Sequence, residues 1–191
     1  MSELTRNGRM HENDGSAVKS VLLMQFGAAV MGIMLSSATY RSTLLNLITS
    51  LLAILFYMYL LYTTVWEIGA KDRDRVDGGR AAEDKWRGLR VSFYANIPNL
   101  ILAAAILVAG IVFNVAYSDG AKTVLAIFTA ISRFWQGMYN GCIISLIGVG
   151  VQSDLLALII YFFAVLPSLA ICTLGYRMGY GGKRLVSGKK K

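Results

Sequence analysis

At 191 residues, with 55% of them hydrophobic, a mean hydropathy of +0.54 and only 16% charged, the chain departs from a soluble domain, in which about 25% of residues carry charge. The net charge of +8 raises nucleic-acid binding. The basic residues flank apolar runs, however, and membrane orientation and attraction to anionic lipid head groups explain that pattern better, so no nucleic-acid partner is expected.

Residues 1–17 are polar and read as a disordered or loosely held cytoplasmic leader. Residues 18–40 are the first expected span. A signal peptide competes, with Ser36 and Ala38 as a small-residue cleavage site. The apolar run is longer than a usual signal core, and a second run follows closely, which favours a retained helix. Residues 44–66 are the second span and end in Tyr57, Tyr59, Tyr62 and Trp66, an aromatic cluster suited to a head-group interface. Arg41 is the lone charge in the connection between the two.

The loop 67–90 is rich in both signs of charge and is divided by Gly78 and Gly79. Residues 67–76 read as an extension of the second helix beyond the membrane, and 80–90 as a short helix leading into the third span. Lys71, Arg73 and Arg75 interleave with Asp72, Asp74 and Asp77, so the loop can neutralise itself. The favoured reading is a solvated connector that fixes orientation. The functional alternative is a docking surface for a cytoplasmic partner, or an anion site, built from Arg73, Arg75, Arg80 and Arg87.

The run Trp66, Glu67, Gly69, Lys71, Asp72, followed by Arg75, Val76, Gly79, Arg80, then Lys85, Trp86, Gly88, Leu89, and finally Asn96 and Pro98, resembles uncharacterised small multi-pass membrane proteins of Gram-positive bacteria. The resemblance covers the second and third spans and their connector. It implies a bacterial plasma-membrane location and carries no activity.

Residues 91–117 are the third span, with Pro98 in its first turns, where a missing backbone donor is tolerated. Residues 155–176 are the last clear span. Pro167 lies in its middle and frees the carbonyl of Phe163, which predicts a kink.

Residues 123–151 are the disputed stretch. They are long enough to cross, but Arg133, Gln136 and Asn140 fall at their centre among glycines. An arginine at the bilayer centre costs about 2.5–3.5 kcal/mol even on lenient insertion scales. Split there, each half is too short to span. The charge pattern points the same way. Seven Lys/Arg in the central loop and six in the tail 177–191 belong on one, cytoplasmic, face. Three crossings between them would forbid this; two allow it. The expected fold is therefore all-α and polytopic, with four transmembrane helices plus one re-entrant or interfacial segment at 123–151, both termini being cytoplasmic. Five transmembrane helices are the alternative. In either case residues 18–176 form a single membrane domain.

Rows of small residues at four-residue spacing allow close helix packing: Ala28, Gly32, Ser36; Gly137, Gly141, Ser145; and Ala164, Ser168, Cys172. They serve packing within the bundle or, on the sharper reading, a protein partner or a second copy.

Catalytic groups are scarce. His11 is the only histidine and lies in the leader, while Cys142 and Cys172 are isolated within apolar segments. No metal site, cofactor or enzymatic activity is expected. The polar cluster singled out is Arg133, Gln136, Asn140 and Asp154, with Asp154 the expected partner of Arg133. Two functions follow. The first is a small integral membrane subunit or scaffold that docks a partner through its loop. The alternative is a membrane component of a solute transporter, with a pocket beside the re-entrant segment built from it and from Asn96, Asn99, Asn114 and Asn140.

Overall fold

The computed structural model describes residues 3–82, 84, 86–117, 119–147 and 161–183. Every regular element among them is helical. Helix α1 is Glu3–Ala38, α2 Thr43–Asp77, α3 Arg87–Ala116, and α4 Asp119–Trp135. A 3-10 turn, Gly137–Tyr139, joins α4 to α5, Asn140–Ile147, and α6 is Leu166–Tyr180.

The chain is an all-α polytopic protein. Four helical stretches are long and apolar enough to cross a membrane: Asp14–Ala38, Thr43–Asp77, Arg87–Ala116 and Tyr161–Tyr180. The intervening α4 and α5 are not among them. The bend expected at Pro167 occurs just ahead of it. A turn at Ala164 and Val165 interrupts the helix, and the Val165 amide bonds the Phe162 carbonyl at 3.1 Å. Pro98, by contrast, is carried inside α3.

The burial pattern is the inverse of that of a soluble helical protein. On α4, Val124, Ile127, Ile131 and Phe134 are exposed, while Leu125, Thr129 and Ser132 are buried. On α1, Leu23 and Phe26 face outward while Gln25 is buried; on α2, Leu44, Ile48 and Leu55 face outward while Asn46 and Ser50 are buried. Helices that turn apolar side chains outward and polar ones inward are stable only where the surroundings are themselves apolar, as in lipid.

The contacts divide the chain into two units. The first holds Met1–Leu22, Tyr59–Ala95 and Ser168–Lys191; the second holds Leu23–Met58 and Asn96–Pro167.

In the first unit, α2 and α6 meet through glycines. A Cβ on Gly69 would overlap the backbone of Tyr176, and one on Gly179 would overlap the carbonyl of Trp66. The Trp66 indole donates to the Lys183 carbonyl at 2.7 Å. Beyond the end of helix α2, Gly79 with φ 66° lets the Arg80 amide reach back to the Arg75 carbonyl at 2.8 Å, while its own amide bonds the Val76 carbonyl at 2.9 Å. Gly182 ends α6 in the same way, with φ 67°.

Charged groups lock this unit. The Arg87 guanidinium on α3 lies against both carboxylate oxygens of Asp72 on α2, and its Nε donates to Asp14 Oδ1 on α1 at 2.6 Å. The Tyr176 hydroxyl on α6 donates to Asp72 Oδ2 at 3.0 Å. Arg90 adds bonds to Asp84 at 2.6 Å and Asp14 at 3.4 Å. Four helices thus contribute side chains to a single charged node. Helix α1 begins at Glu3, and the bonds at Asp14 hold it in place.

Candidate functional site

The second unit contains the segment on which the sequence reading converged. Helix α4 ends at Trp135, Gln136 leaves helical geometry (φ −99°, ψ 34°), and the chain turns through Gly137–Tyr139 before α5 starts at Asn140. Glycines explain why the break occurs here. A Cβ on Gly137 would overlap the Ala29 carbonyl on α1, and one on Gly32 would overlap the backbone of Met138. The turn is therefore pressed against α1 with no room for side chains between.

Helix α2 holds the other side. Ser50 Oγ donates to the Met138 carbonyl at 3.2 Å and accepts from the Cys142 amide at 3.0 Å. One hydroxyl thereby serves a carbonyl left free by the turn and an amide left free at the start of α5. A Cβ on Gly141 would come within 2.7 Å of the Asn46 carbonyl and Oδ1. Two edge-to-face aromatic pairs flank the break: Phe26 with Phe134, centroids 6.3 Å apart, and Tyr57 with Tyr139 at 6.4 Å.

The second unit also buries several polar side chains. Gln25 is 0% exposed and Gln136 1% exposed, and neither amide makes a hydrogen bond among the described residues. The Ser132 and Tyr139 hydroxyls, the Trp135 indole N–H and the Asn140 carbonyl oxygen are likewise buried without an intramolecular hydrogen bond. On α3, Asn99 Nδ2 donates to Asn96 Oδ1 at 2.9 Å, and Asn99 Oδ1 stays unbonded. A buried polar group without a partner is unfavourable by about 1–3 kcal/mol. In folded proteins most buried polar side chains have a hydrogen-bond partner, ordered water included.

Of the residues expected to form the polar cluster, Arg133, Gln136 and Asn140 fall at this break, with Arg133 half-buried. Asp154 lies outside the described residues, as does the end of the disputed stretch beyond 147. Gln25, Asn46, Ser50, Ser132 and Tyr139 were not anticipated. Gln25 had a legible signal, since it is the only amide side chain in the run from Val18 to Tyr40. The asparagines of the expected pocket divide: Asn96 and Asn99 are buried, while Asn114 is exposed.

The loop arginines are mostly engaged within the chain. Arg73 pairs with Asp77 at 3.5 Å, Arg75 with Asp72 at 3.7 Å, and Arg87 sits in the charged node. Arg80 is exposed beside Gly78. Comparison with protein-family models, characterised proteins and solved structures finds no match to this chain.

Proposed function

We propose that the protein is a membrane component that binds or passes a small polar solute through the polar interior of its second unit. The observation that carries this reading is the pair of fully buried glutamines, Gln25 and Gln136, whose amides find no hydrogen bond among the described residues. A scaffold whose helices only pack on one another gains nothing from burying such groups, whereas a solute site needs convergent donors and acceptors at the depth of the bilayer. The broken helix beside them supports the same reading, since interrupted helices in membrane proteins border binding sites and cavities. Docking through the loop has less support, because Arg73, Arg75 and Arg87 already hold ion pairs within the chain.

The location that fits is the bacterial plasma membrane, with the amino terminus, the central loop and the tail cytoplasmic. Asp14, the loop and α6 share one charged node, and the basic residues concentrate on these segments.

The test is osmotic swelling of proteoliposomes carrying the full chain, with urea and with ammonium formate as permeants. Protein-dependent swelling with at least one of them is expected. No protein-dependent swelling with either rejects the reading.

A further inference from the structure

Resting on that reading, we infer that the solute is a small neutral molecule that both donates and accepts hydrogen bonds, of the class of urea and the simple amides, met where α1 packs on the turn after α4. The unbonded groups there are balanced between the two kinds. Gln25 and Gln136 each bury an amide nitrogen and an amide oxygen with no hydrogen bond among the described residues. The Trp135 indole adds a donor and Asn140 Oδ1 an acceptor. The Ser132 and Tyr139 hydroxyls, also buried and unbonded, serve as either.

Contacts between α1 and the turn bring the two glutamines to one place. Phe26, next to Gln25, sets its ring against that of Phe134 with centroids 6.3 Å apart. Ala29, one helical turn on from Gln25, is the residue whose carbonyl lies against Gly137, next to Gln136. Both glutamines are fully buried.

The balance of donors and acceptors decides the class. An anion satisfies the amide and indole N–H groups but leaves the oxygens of Gln25, Gln136 and Asn140 facing a negative charge. A cation satisfies those oxygens and leaves the N–H groups unpaired. Each buried group left unpaired is unfavourable. A molecule that carries N–H groups together with a carbonyl oxygen pairs with both sets at once, and brings no charge to membrane depth. Water has the same hydrogen-bonding character, and the experiment separates it from a larger solute.

The test is tracer exchange of labelled urea, guanidinium and formate in proteoliposomes carrying the full chain. Each solute is held at equal concentration on both sides, so that no charge accumulates, and exchange in protein-free vesicles is subtracted. The three are small and planar; urea both donates and accepts, guanidinium only donates, and formate only accepts. Urea exchange is expected to exceed that of either ion by at least about tenfold, the equivalent of one or two hydrogen bonds of ordinary net strength. Gln136→Leu is expected to lower urea exchange by a similar factor, and Gln25→Leu serves as the second variant should the first fail to accumulate.

Exchange of formate or guanidinium that equals or exceeds that of urea overturns the neutral assignment and leaves the solute reading standing. Urea exchange unchanged by both leucine variants overturns the placement at the two glutamines. No exchange of any of the three overturns the assignment and the solute reading together; if osmotic water permeability rises in that case, the buried groups hold water alone.

Discussion

Arg87 and Asp72 lie on different helices, and the guanidinium of the first faces both carboxylate oxygens of the second. Neither is solvated, with side chains only 12% and 10% exposed. Asp14 and the Tyr176 hydroxyl complete their hydrogen bonding. A buried ion pair is fragile in one direction only. Removing one partner strands the other charge, while removing both is far milder.

Arg87→Met is therefore expected to destabilise by about 3–5 kcal/mol, the usual penalty of an unpaired buried charge. The triple variant Asp14→Asn, Asp72→Asn, Arg87→Met is expected to recover most of that. Thermal unfolding in detergent, followed by tryptophan fluorescence, measures both. Equal losses in the two variants would show that the node is not charge-coupled.

The turn at Gly137–Tyr139 fits α1 only because two glycines face one another's chains. Gly32→Ala and Gly137→Ala each place a methyl group into backbone, and a loss of about 1–3 kcal/mol is expected from such overpacking. Gly27→Ala is the control, because nothing lies within 4 Å of its added Cβ. Its effect is expected to be neutral or slightly stabilising.

Ser50 ties α2 to both flanks of the break, bonding Met138 and Cys142. Ser50→Ala leaves a carbonyl and an amide without that partner and is expected to destabilise locally by about 1–3 kcal/mol. The sensitive readout is the reaction of native Cys142 with maleimide, which is expected to accelerate as the start of α5 loosens. An unchanged rate would mean that the break is held by packing alone.

The side of the membrane is open to a direct experiment. Arg80→Cys and Lys183→Cys, each in the background lacking Cys142 and Cys172, are both expected to react only from the cytoplasmic face. Labelling from opposite faces would leave an odd number of crossings between loop and tail and remove the four-span topology.

The spans were legible because composition alone separates them from their flanks. The break at Gln136 was legible for a related reason, since Arg133, Gln136 and Asn140 interrupt an apolar run. The charged node was not. The sequence contains many aspartates and arginines near the loop, and nothing local says that Arg87 pairs with Asp72 and with Asp14, which is 73 residues away. Gln25 and Ser50 stand out as polar residues in apolar runs, but that signal does not say which way either side chain faces. Only the positions of neighbouring helices decide that.

The outward-facing leucines and inward-facing amides of the second unit bear on how this protein responds to chemical denaturants. Urea and guanidinium act largely in proportion to the surface that unfolding newly exposes. Here much of the apolar surface is already turned outward in the native state. Loss of tertiary structure in a micelle exposes little more of it, so the unfolding transition will be broad, with a small slope and a small heat-capacity change. A gentle curve from this protein would reflect the direction its side chains face, and would say little about how firmly it is folded.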